Sequence, residues 1–60
     1  MNTPTPEQYV NLHANNYAEL REIRRIYVGN CAVDPRPESG WIDALTRFDA
    51  ALVERNIQLT

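Results

Sequence analysis

Lysine is missing altogether from this chain, and cysteine, histidine, tryptophan and phenylalanine occur once each. With Cys31 alone, no internal disulfide can form. With His13 as the only histidine, and Cys31 far from it in sequence, a four-ligand metal site has too few donors. Glycine is limited to Gly29 and Gly40, which excludes a glycine-rich phosphate-binding loop. No apolar run approaches the ~20 residues that a membrane span needs. The opening MNTPTPEQ has no charged-then-apolar signal pattern. A lone thiol without an export signal gives the expectation of a reducing, cytoplasmic setting and no membrane partner.

These absences bear on stability as well. The 60 residues make one domain at most, and a chain of this size buries only about 60% of the surface its unfolded form exposes. Such chains need a staple, unusually good helix packing or a partner. With disulfide and metal set aside, self-association is the expected route. The formal charge is −2, unlike that of a strongly basic nucleic-acid binder. All six basic residues are arginine. A GC-rich genome explains that simply, but arginine also suits bidentate contacts at interfaces.

The pattern is helical. Thr5 is placed to cap, Pro6 fits the first helical position, and Gln8 completes a Thr-x-x-Gln capping box. Glu7 puts a negative charge in the first turn, where the helix dipole favours it. With no glycine until Gly29 and no proline until Pro35, the reading is one helix over about 6–28, stopped by Gly29 or Asn30. Its apolar side chains, among them Tyr9, Val10, Leu20, Ile23, Ile26 and Tyr27, spread over an arc of about 200°, twice what one neighbour requires. A second helix is read over about 38–56. Its stripe is Trp41, Ala44, Leu45, Phe48, Ala51 and Leu52, and Ile42 and Val53 form a smaller patch beside it. Between the two, Asp34-Pro35-Arg36-Pro37 resists helix, because each proline pushes its predecessor towards extended backbone.

The fold expected is therefore all-α. It is a helical hairpin of two antiparallel helices spanning 1–60 as a single domain, with residues 1–5 flexible and 29–37 as connector. In the tail, 57–60 would either fray or dock Ile57 and Leu59. Two unequal helices cannot enclose a core, so pairing of two hairpins into a four-helix homodimer is expected to complete it.

Little in the sequence does chemistry. His13 and Tyr17 lie one turn apart, but a histidine at the flank of a core is the simpler reading. Cys31 with His13 is the only conceivable nucleophile–base pair, with nothing to form an oxyanion hole. No carboxylate stands at i, i+3 or i, i+4 from the histidine, the spacing of a helical metal site. No catalytic residue, metal or cofactor is expected.

The informative stretch is YAELREIRRIY. Arg21, Arg24 and Arg25 fall within about 100° of one another on the helix, with Tyr17 among them and Tyr27 near. Tyrosine and arginine are the residue types enriched at contact hot spots. The candidate partner-binding set is thus Tyr17, Arg21, Arg24, Arg25 and Tyr27. The function expected is that of a small non-enzymatic interaction protein that binds a host or cognate protein to inhibit or adapt it. By size and composition it resembles accessory proteins of phages and mobile elements. A first alternative is a nucleic-acid-binding homodimer, RNA rather than DNA, gripping phosphates through the arginine flank. The acidic second half argues against it. A second alternative is a structural subunit of a larger assembly.

Overall fold

The computed structural model describes residues 3–59. They form three α-helices: α1 (Pro6–Leu12), α2 (Tyr17–Val33) and α3 (Trp41–Glu54), with a 3-10 turn over Pro37–Ser39 before α3. No strand occurs among the described residues.

The start of α1 forms as its sequence dictates. The Gln8 N–H donates to Thr5 Oγ1 at 3.2 Å, and the Thr5 N–H donates to Gln8 Oε1 at 2.8 Å. Two otherwise orphaned donors are satisfied reciprocally. The N-terminal arm expected over 1–5 is therefore anchored at Thr5, while residues 1 and 2 lie outside the described residues, as does residue 60.

The long first helix expected over 6–28 is instead two helices. α1 ends at His13 and α2 begins after Asn16, whose side-chain oxygen accepts the Glu19 N–H at 3.2 Å. No glycine or proline is needed for this break. Asparagine competes with the helix for backbone hydrogen bonds and is among the best N-caps. Geometry supplies the gain: an unbroken helix over 6–33 would run about 42 Å, whereas α3 is only about 21 Å long. Folding α1 back lets Val10 reach full burial beside α3.

At its other end α2 runs through Gly29 to Val33, so neither Gly29 nor Asn30 is the stop. A mid-helix glycine costs only about 1 kcal/mol, whereas Pro35 forbids continuation. Asp34, directly before it, takes the extended φ of −136° and closes the helix as its C-cap. The non-helical link thus shrinks to Asp34–Arg36, followed by the 3-10 turn. Ser39 Oγ donates to the Arg36 carbonyl at 2.8 Å, and Gly40, at φ 83°, turns the chain into α3.

The core draws on the three α-helices and the tail: Val10 from α1, Leu20, Ile23 and Tyr27 from α2, Phe48 and Leu52 from α3, and Ile57 from the tail. Trp41, Ala44, Leu45 and Ala51 pack against it, so the α3 stripe read from the sequence faces inward. α3 packs against both α1 and α2. The tail does not fray over its described part. Asn56 takes the left-handed conformation at φ 58°. The Asn56 N–H donates to the Val53 carbonyl at 3.0 Å and the Ile57 N–H to that of Leu52 at 2.9 Å. This is a Schellman closure, and it lays Ile57 on Leu52.

Candidate interaction groove

Arg21, Arg24 and Arg25 do lie together on one flank of α2, and Tyr17 precedes them by one turn with 44% of its surface exposed. Tyr17, Arg21, Arg24 and Val28 follow at steps of four, three and four, one continuous stripe on a helix. Tyr27 leaves this set. It is buried at the centre of the aromatic cluster, with ring centroids 5.4 Å from Phe48, 6.2 Å from Trp41 and 6.5 Å from Tyr9. Burial pushes its phenol above the ordinary tyrosine range. Its place in the expected contact surface is corrected to a place in the core, which the period of three and four between Leu20, Ile23 and Tyr27 explains.

The arginines differ in what they already hold. Arg24 grips Asp49 of α3 in a bidentate pair, Nε to Oδ1 at 2.8 Å and Nη2 to Oδ2 at 3.1 Å. Arg25 forms an ion pair with Glu22 within its own helix, and its guanidinium lowers the Glu22 carboxyl below the ordinary range. Arg21 has no ion-pair or hydrogen-bond partner among the described residues. Elsewhere Arg36 holds Asp34, Arg47 holds Glu7 of α1, and Arg55 donates to Asn11 Oδ1 at 2.6 Å. Three of the six arginines, Arg24, Arg47 and Arg55, therefore tie segments to one another. The helical pattern alone could not distinguish these roles, because it does not show which acid lies across the gap.

Between the arginine flank and the outer edge of α3 runs an open groove of about 670 Å³. Its floor and walls are apolar, with Val28 from α2, Leu52 and Val53 from α3, and Ile57 and Leu59 from the tail. Arg21, Arg24 and Arg25 stand along it with Asp49 as the one carboxylate. Val53 is 75% exposed and Val28 42%. Val53 was already visible in sequence as a residue off the main stripe of α3. The contribution of Leu59 depends on the tail folding back, which only the Asn56 turn reveals.

Among the described residues, no group of three or more histidine, cysteine or acidic side chains is placed to hold a metal ion. None of the described helices is long and apolar enough to cross a membrane. No family model, curated protein or solved structure matches this chain.

Proposed function

We propose that this chain is a small non-enzymatic interaction protein that binds another protein through the arginine-flanked face of α2 and adapts or inhibits it. The observation that carries the reading is the groove itself. An apolar trough with exposed valines and a guanidinium rim has the anatomy of a contact surface, apolar within and charged around. In this reading α2 and α3 act as a helical hairpin that presents the groove, with α1 bracing α3 from its other side. The binding set is Tyr17, Arg21 and Arg25, with Val28 and Val53 as the apolar centre.

Self-association was expected because two helices cannot close a core. Val10 and Ile57 contribute that closure from within one chain, so the working unit in this proposal is a single copy. A nucleic-acid role draws less support. Arg24 is already held by Asp49 in a bidentate pair, which leaves only Arg21 and Arg25 of this flank to meet a phosphate backbone.

The test is an affinity capture from lysate of the cell in which the protein acts, with and without nuclease, using wild type and an Arg21→Ala/Arg25→Ala variant. The expected result is one stoichiometric protein that survives nuclease and is lost with the variant, whose helix content by circular dichroism matches wild type. Loss of all partners on nuclease treatment would instead establish the nucleic-acid reading.

A further inference from the structure

We infer that the occupant of the α2–α3 groove is an acidic amphipathic helix of a different protein. The inference rests on the protein-contact reading and narrows it to the chemistry of the partner. Three arginines against one carboxylate line the groove, although the chain as a whole carries a charge of −2. Asp49 answers Arg24 and Glu22 answers Arg25, so the charge left over beside the exposed Val28 and Val53 is that of Arg21. A ligand that fills the trough needs an apolar stripe, and one that satisfies its rim needs carboxylates beside that stripe. Arg21 is the guanidinium with nothing to satisfy it among the described residues. Arg25 is held only by the exposed Glu22 of its own turn, a pair that another carboxylate can replace at little cost.

The shape fits the same occupant. The groove follows two helices and stays open along its length, which suits a helix laid into it rather than an enclosed small molecule. Helix-in-groove recognition uses anchors at i, i+3 or i+4, and i+7. From Arg21 to Val28 the α2 wall rises by about 10 Å, or roughly two turns, so two or three such anchors fill it.

A second copy of this chain is the poorer occupant. A symmetric pairing lays the same patch against itself and would set Arg21 and Arg25 of one copy close to those of the other. Like charges brought together in an interface disfavour the pairing. Such a pairing offers only Asp49 as a carboxylate in the groove, and Arg24 already occupies it.

The test uses labelled peptides of about 15 residues, roughly 22 Å as helices, titrated with the 60-residue protein by fluorescence anisotropy. One carries leucines at i, i+4, i+7 and i+11 flanked by glutamates, its twin has lysines in place of the glutamates, and a scrambled control keeps the acidic composition. The acidic amphipathic peptide should bind at least tenfold tighter than either control. Val53→Asp should weaken it tenfold or more, and Arg21→Glu/Arg25→Glu should reverse the preference towards the lysine peptide. Equal binding of all three peptides, or indifference to Val53→Asp, overturns the inference. So does a single-stranded RNA oligonucleotide that binds tighter than the acidic peptide. Sedimentation of the free protein adds an independent check: a homodimer that Val53→Asp dissociates would make the groove a self-interface and end the proposal. The two readings fail separately. A nuclease-resistant partner that is lost with both Arg21→Ala/Arg25→Ala and Val53→Asp, while the three peptides bind equally, leaves the protein-contact reading standing and removes this one.

Discussion

Tyr27 and Phe48 meet edge to face, with ring centroids 5.4 Å apart and planes inclined at 63°. This contact joins α2 to α3 at the middle of the core, and Tyr9 and Trp41 close on the same tyrosine from α1 and the start of α3. One side chain therefore fastens all three helices. In a domain with seven buried hydrophobic residues, the ring at this position has no substitute.

Phe48 is fully buried, and removing a buried phenylalanine costs about 3–5 kcal/mol. Small domains have little more than this in total. Phe48→Ala should abolish the cooperative thermal transition followed by circular dichroism. Tyr27→Phe keeps the ring and its edge contacts and should stay folded with Tm close to wild type. If Phe48→Ala melts cooperatively near the wild-type temperature, the core is elsewhere.

Arg24 and Asp49 make the best-formed ion pair between α2 and α3, yet their side chains remain 43% and 41% exposed. Solvent screens a pair of this kind, and a double-mutant cycle with Arg24→Ala and Asp49→Ala should give a coupling of no more than about 1 kcal/mol. The pair sets how α3 lies against the arginine flank more than it holds the fold. A coupling of several kcal/mol, read from denaturant melts, would mean that it is shielded in a way this geometry does not provide.

Sequence pattern was a good guide to the all-helical class, the Thr5 capping box and the inward stripe from Trp41 to Leu52. It was a poor guide wherever one local signal had to be weighed against the whole molecule. Asn16 carries a cap signal, with Glu19 three residues on, yet a polar residue inside an otherwise helical run reads equally well as solvated surface. Only the short reach of α3 makes the break at 13–16 favourable. Of the candidate site, the clustering of Arg21, Arg24 and Arg25 follows from helical spacing alone. That Arg24 is engaged by Asp49, and that Tyr27 turns inward, depends on contacts 25 and 21 positions away along the chain.

The two glycines make that lesson measurable. Gly29 lies in the interior of α2, and a methyl group there would meet nothing within 4 Å. Gly29→Ala should stabilise the protein by about 0.5–1 kcal/mol, the usual gain in an exposed helix interior, or roughly 4–8 °C per kcal/mol in Tm for a domain of this size. Gly40 also has open space around it, but its φ is 83°. An L-residue pays about 1–2 kcal/mol for that conformation, so Gly40→Ala should lower Tm. Opposite signs from one substitution at two uncrowded sites would isolate backbone conformation as the cause. A loss of stability at Gly29 would show that the helix does end there.

Acid should loosen the link between α1 and α3. Hydrogen bonds from Arg47, at 3.0 and 2.8 Å, hold the Glu7 carboxyl below the ordinary glutamate range. A carboxylate with a lowered pKa in the folded state stabilises the fold fully above its unfolded value of about 4.3. That contribution is lost as pH falls through the folded value. Glu22 and Asp34 are lowered for the same reason by Arg25 and Arg36, but both of those pairs are local, and of these three lowered carboxylates Glu7 alone fastens one helix to another. Glu7→Gln should therefore lower Tm at neutral pH, and its difference from wild type should shrink towards zero as the pH falls below about 4. Thermal melts of both proteins at steps from neutral to strongly acid pH make the comparison. A difference that persists unchanged in acid would mean that Glu7 acts through its place in the first turn of α1 rather than through the charge it shares with Arg47.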